Sequence, residues 1–352
     1  MIMKAKYLLI GFVLIALNQS CSAQNVHIGE PLFVDADNKT NCFFDNSEIH
    51  KLNSVELKVT GEVKLPGLVD FSKLPLHEMI VKETVLENGE DRFLGAYRYV
   101  GYSLADILNL FELDKANAVA FPPLVDLYVE IENKSGEKVV VSWGEIYYSN
   151  NLDDIIIAVG VARIIPEKSK DMWELPVESK LVVMDDLITA RNITNPSKIT
   201  VKTYKNDEII IEKGKSPVYS PTIDIIKEKK TLATLTENIN QEKIESVHTI
   251  FYGKGRGLHS TKPFEGVGLK KVLTDYVGFD TQKLMNQLII IVADDGYRNV
   301  YTWSEISNRN DQGNILLVCD PKDTKKGIFR LIPTCDFLAD RAIKGIDRII
   351  IE

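Results

Sequence analysis

Apolar and polar positions alternate along much of the chain, in a pattern that predicts strands more often than helices. Leu127, Val129 and Ile131 alternate with polar neighbours, the period of two of a half-buried strand. Val139-Val140-Val141 follows the turn at Ser135-Gly136, and Leu288-Ile289-Ile290-Ile291-Val292 predicts a strand buried on both faces. Only Leu104 to Leu110 and Leu269 to Tyr276 carry the spacing of an amphipathic helix. Turns of Asn, Asp and Gly separate the strands, so the predicted class is β-rich α+β and not alternating α/β.

Four blocks of this pattern occur twice, in the same order. Gly101-x-x-Leu104-x-x-Ile107-Leu108 lines up with Gly266-x-x-Leu269-x-x-Val272-Leu273. Gly136 and Gly296 each sit at a turn, and each is followed seven residues later by a tryptophan, Trp143 or Trp303. Both tryptophans belong to a [Ser/Thr]-Trp-x-Glu-Ile unit, Ser142 to Ile146 and Thr302 to Ile306. Asp186, Arg191 and Ile199 repeat with unchanged spacing as Asp336, Arg341 and Ile349. Copies of this length are domains, so the chain reads as a tandem duplication. The predicted boundaries are a leader over 1–23, an exposed lead-in over 24–50 and a first domain over 51–205. A charged, Pro-punctuated connection over 206–235, with a strand-like Ile209-Ile210-Ile211, leads to a second domain over 236–352.

Composition narrows the function classes. With 352 residues, 45% apolar and 26% charged, the chain has the balance of a folded protein. The net charge is −8 and becomes −10 once Lys4 and Lys6 leave with the leader, which argues against a phosphate-tracking nucleic-acid binder. Four cysteines without a CxxC and five histidines without an HxxxH announce no zinc site or redox dithiol. The leader has a basic start and an apolar run from Tyr7 to Leu17, which at about 16 Å is too short for a bilayer core of about 30 Å. It reads as an export signal. Cys21 after Ser20 resembles a bacterial lipobox, so the expected location is the periplasm or outer membrane as a lipoprotein lipidated at Cys21. Cys21-Ser22-Ala23 also fits ordinary cleavage before Gln24, which would leave a soluble periplasmic protein.

The order of the blocks resembles the sulfite-oxidase-type molybdopterin-binding domain, over about 55 to 204 and less completely about 236 to 352. The first copy adds Leu57-Lys58-Val59-Thr60-Gly61-Glu62-Val63-Lys64-Leu65-Pro66, similar to the opening strand of that family. The resemblance implies two tandem copies of the sulfite-oxidase fold, with molybdopterin as cofactor and oxidoreductase activity. It also implies a cysteine thiolate on molybdenum ahead of the Gly-x-x-Leu helix. The matching stretches, Val81 to Ala96 and Val247 to Lys262, contain no cysteine, and no other residue type near them supplies an equally soft ligand.

Several residues carry candidate chemistry. Gly253-Lys254-Gly255-Arg256-Gly257-Leu258-His259 offers backbone N–H groups with positive charge, either an anion-binding loop formed by Lys254, Arg256 and His259 or a solvated hairpin tip. Arg191 and Arg341 read as grips for an anionic ligand or as structural partners of Asp186 and Asp336. Trp143 and Trp303 suit core packing, and Glu145 and Glu305 suit the first turn of a helix or, less simply, an acid/base pair. His248 and His259 make a weak metal signal, while His27, His50 and His77 have no companions in sequence. Cys319 and Cys335 fall in late strands and read as a disulfide or as two buried thiols. The functional expectation is an exported binding or accessory module for a small anionic ligand or an envelope protein, lacking the molybdenum thiolate. The alternatives are an active periplasmic molybdopterin oxidoreductase and a structural subunit of an envelope complex.

Overall fold

The computed structural model describes residues 47–352 apart from 54–55, 167, 242 and 324–326. The leader, Cys21 and most of the predicted lead-in lie outside the described residues. Among the described residues no helix is long and apolar enough to cross a membrane.

Strands dominate, as the alternation predicts. Leu127–Asn133 buries every second residue, and Leu288–Ala293 is buried throughout. In the latter, Ile289 and Ile291 enter one core cluster while Leu288, Ile290 and Val292 enter another. The five α-helices among the described residues are short: α1 is Leu104–Asn109, α2 Trp143–Tyr147, α3 Leu269–Val277, α4 Thr281–Asn286 and α5 Trp303–Ser307. The two helices predicted from spacing are α1 and α3.

The expected pair of tandem sulfite-oxidase folds is overturned; only its β-rich character holds. The described residues are 43% strand and 13% helix, with four small sheets in a propeller-like arrangement. Each of these sheets has five strands. The physical reason is visible in the helices. The longest, α3, has nine residues, too few to form the helical layer of an α+β domain, so the sheets bury their faces largely on one another.

The repetition read from the sequence survives as a repeated pairing. In the first half Lys58–Gly61 runs parallel to Pro196–Thr203, which lies antiparallel to Leu127–Asn133, and that strand forms a hairpin with Lys138–Ser142. In the second half Ile223–Lys227 runs parallel to Ile346–Ile351, which lies antiparallel to Leu288–Ala293, and that strand forms a hairpin with Arg298–Thr302. The span read as a connection therefore supplies Ile223–Lys227 and Lys230–Leu235 to the second half's sheet. Ile209-Ile210-Ile211 forms no strand. Ile209 is instead buried with Tyr204, Val140 and Ile290 in a cluster that joins the halves. A second join lies at Phe121, stacked between Lys115 and Arg298, both of which pair with the buried Asp126. Burying these cations is tolerable because each has both a carboxylate and an aromatic face.

Candidate functional site

The [Ser/Thr]-Trp-x-Glu-Ile units end one hairpin in each half and start α2 and α5. Ser142 caps α2, accepting from Glu145 N at 3.1 Å, while Glu145 Oε2 accepts from Ser142 N at 2.8 Å. Thr302 and Glu305 repeat the capping box on α5, at 3.1 and 2.9 Å. The tryptophans behind the caps are buried, as core packing requires.

The two boxes also bond to each other. Ser142 Oγ donates to Glu305 Oε2 and Thr302 Oγ1 donates to Glu145 Oε2, both at 3.0 Å. Glu145 and Glu305, equivalent residues of the two copies, thus share one network at the seam. Spacing within a copy gives no signal of this, because the contact joins residues far apart in the chain.

Arg191 and Arg341 complete the network and are both buried. Arg191 forks onto Asp186 at 2.8 and 2.7 Å and reaches Glu145 Oε1 at 2.7 Å. Arg341 forks onto Asp336 at the same distances and reaches Glu305 Oε1 at 3.0 Å, with its guanidinium 4.2 Å from the centre of the Tyr301 ring. The Asp-x4-Arg spacing is a bidentate pair in both copies, and neither arginine is free to grip an anion. Four carboxylates, Asp186 and Glu305 buried and Glu145 and Asp336 half-buried, face two guanidiniums, a surplus of acidic groups in a place poorly served by water. Burial raises the carboxyls of Asp186 and Asp336, with their arginines opposing the shift. Burial also pushes Glu305 up to about 8, with Arg341 opposing and Glu145 adding to the rise.

Above this floor opens a cleft of about 700 Å³. One wall is a short ladder across the seam, in which Leu187 N donates to Asn308 O at 2.7 Å and Asn310 N to Asp185 O at 2.8 Å. Eight carboxylates line the cleft, Glu145, Asp154, Asp185, Asp186, Glu245, Glu305, Asp311 and Asp336, against the three arginines 191, 309 and 341. Arg309 is itself paired with Asp311 at 2.6 Å and Asp185 at 3.3 Å. The remaining wall is mixed, with the amides and hydroxyls of Ser149, Asn150, Asn151, Gln312, Asn314 and Thr334 beside the apolar side chains of Ile155, Val183, Met184 and Val247. Such a surface favours a cationic group, through carboxylates fixed in place, and offers hydrogen bonds to the rest of a polar molecule.

The anion-loop residues lie elsewhere. Lys254, Arg256 and His259 sit exposed on the hairpin of Phe251–Gly253 and Gly257–Ser260, apart from the buried guanidiniums of Arg191 and Arg341. His248 is held by Thr261 O at 2.9 Å. Neither Cys319 nor Cys335 is joined in a disulfide. In the Ile315–Cys319 and Phe329–Pro333 hairpin, Cys319 pairs with Phe329 and Ile315 with Pro333, so the cysteines flank opposite ends, roughly 20 Å apart. A disulfide between them is ruled out by that register.

His77 has companions that the sequence conceals. Its Nε2 meets Asp106 Oδ2 of α1 at 2.8 Å and its Nδ1 meets Asp153 Oδ2 at 3.0 Å. These three side chains are close enough to share an ion. His77 already bonds both carboxylates, one through each ring nitrogen, and the group ties the start of Glu90–Ser103's partner strand, His77–Glu87, to α1 and the 148–154 loop.

The residues do not fit a molybdenum–pterin group. The long hairpin of His77–Glu87 and Glu90–Ser103, which spans the first expected thiolate position, has no cysteine, and neither does the exposed hairpin at the second. Cys335 borders the cleft, but burial pushes its thiol up, away from the thiolate that such a metal selects. A carboxylate-rich cleft also opposes the negative charge of a pterin phosphate. In comparisons with known proteins, the chain matches no family model and no curated protein.

Proposed function

We propose that the protein is an exported binding module without catalytic machinery, whose ligand is a small polar molecule carrying an ammonium or guanidinium group, held in the cleft over the seam. One observation carries this reading: the cleft has eight carboxylates, and its three arginines are all committed to them. A cation entering there meets carboxylates fixed by capping boxes and ion pairs, so little reorganisation is needed to receive it. An anion meets the surplus of negative charge and finds no uncommitted arginine on the wall. The expectation of a small anionic ligand is therefore replaced by its opposite in charge.

Glu145 and Glu305 are positioned by Ser142, Thr302 and the two arginines, which makes them the floor of the site and not an acid/base pair facing a substrate. Asp185 and Asp311 stand on the wall, where Arg309 is their only charged partner among the described residues. They are the carboxylates best placed to meet the ligand's charge without dismantling the seam.

Thermal unfolding with added ligand tests the reading. Agmatine, which carries both a guanidinium and an ammonium, is expected to raise the melting temperature in a saturable way, and the dianion glutarate is expected not to. Asp185→Asn with Asp311→Asn should weaken the effect of agmatine while leaving a folded protein. Stabilisation by glutarate with none by agmatine rejects the reading.

A further inference from the structure

The hairpin of Phe251–Gly253 and Gly257–Ser260 presents two different faces. Phe251 turns inward onto Phe264, at a ring separation of 5.4 Å, and onto the cluster of Leu316, Val318 and Ile332. Tyr252, the next residue, faces outward and is paired across the strands with Leu258. Phe337 lies beside it with ring centres 6.0 Å apart. Tyr252, Leu258 and Phe337 are 42%, 60% and 54% exposed, and Ile250 just before the hairpin is 55% exposed. Large apolar side chains left in water at one corner are a feature the fold itself does not require.

Lys254 and Arg256 project from the tip between these strands. Both are exposed, and among the described residues neither forms an ion pair, although the chain as a whole carries −8. The tip is held in place by its backbone: Lys254 N donates to Asp340 Oδ2 at 2.8 Å. Aromatic and aliphatic side chains behind a basic tip are the composition of a surface that sits at a membrane interface, where cations meet phosphates and rings enter the headgroup layer. A protein partner is less well matched. The patch has four apolar side chains and a two-cation tip, well short of the roughly 20–30 residues that each side of a stable protein interface contributes. A lipid surface imposes no such complementarity of shape.

We propose that this hairpin seats the protein on an anionic lipid surface, with Lys254 and Arg256 on headgroup phosphates and Tyr252, Leu258 and Phe337 in the headgroup boundary. The inference is independent of the cleft and of its ligand. A lipid at Cys21 would add a second attachment, and two weak attachments together hold where one does not.

The test is co-sedimentation of the exported, processed protein with vesicles, made with Cys21→Ala so that no acyl chain contributes. Vesicles of phosphatidylethanolamine with phosphatidylglycerol should carry the protein down, and vesicles of phosphatidylcholine alone should not. Lys254→Gln with Arg256→Gln should lower partitioning on the order of thirtyfold, the effect of neutralising two cations at an anionic surface. Leu258→Ser with Phe337→Ser should lower it too. Melting curves check that both variants fold; if the apolar variant melts early, the charge variant decides alone. Failure of the wild-type protein to sediment with phosphatidylglycerol vesicles, or equal partitioning of the charge variant, overturns the proposal, as does capture by an acidic protein with no vesicle binding.

Discussion

Ser142, the N-cap of a helix in the first half, donates its hydroxyl to Glu305, the capping glutamate of the matching helix in the second. Thr302 returns the bond to Glu145. Each cap thus satisfies its own helix and holds the other's carboxylate in place. The seam between the copies is built from residues that every single copy would need anyway to start a helix. This explains how a duplicated motif came to form a shared floor without new residue types.

Arg341→Ala should destabilise the protein by about 3–5 kcal/mol, because it removes both hydrogen bonds of the fork on Asp336 and leaves that carboxylate without its cation, and takes from Glu305 its guanidinium partner. Chemical denaturation at neutral pH measures it. A loss below about 1 kcal/mol would mean that the network contributes no more than a surface ion pair.

Glu305→Gln should change how stability depends on pH. The Glu305 carboxyl has an ordinary value of 4.5 and is raised to about 8 in the folded protein, chiefly by burial. Its contribution is therefore intact below about 4.5 and is lost as pH rises through about 8, since the folded state binds the proton more tightly than the unfolded. The wild-type protein should lose stability relative to the glutamine variant between those limits. Melting temperatures of both proteins across that range report it; parallel curves would show that Glu305 is ionised throughout.

Gly144→Ala tests the packing of the seam. A Cβ at this position would lie 2.1 Å from Arg341 Cζ, and the guanidinium is pinned by Asp336 and Glu305 and has no room to retreat. The expected cost is about 1–3 kcal/mol, the usual range for overpacking. Gly255→Ala on the exposed hairpin, where an added Cβ meets nothing within 4 Å, should stay within about 0.5 kcal/mol. Equal effects at the two glycines would refute the close approach at the seam.

Local features of the sequence carried through to the structure. The helical spacing at 104 and 269, the strand periodicity and the Trp-containing units all appear where the residues place them. So does the Asp186–Arg191 pair, because five residues of separation already limit what the two side chains can reach. What the sequence concealed depends on distant segments meeting. His77 gains Asp106 and Asp153 only when strand, helix and loop converge, and Glu145 meets Thr302 only across the seam. The packing of four sheets is of the same kind, since periodicity says which face of a strand is buried but not against what. The resemblance to one family rested on local blocks, and these recur here in sheets arranged differently.

Titration calorimetry of the protein with agmatine and with glutarate, at pH 7 and low ionic strength, tests the central claim most directly. A cation-binding cleft predicts saturable one-to-one binding of agmatine that weakens with added salt and with Asp185→Asn, and no heat of binding from glutarate. Binding of glutarate with none of agmatine would contradict the account.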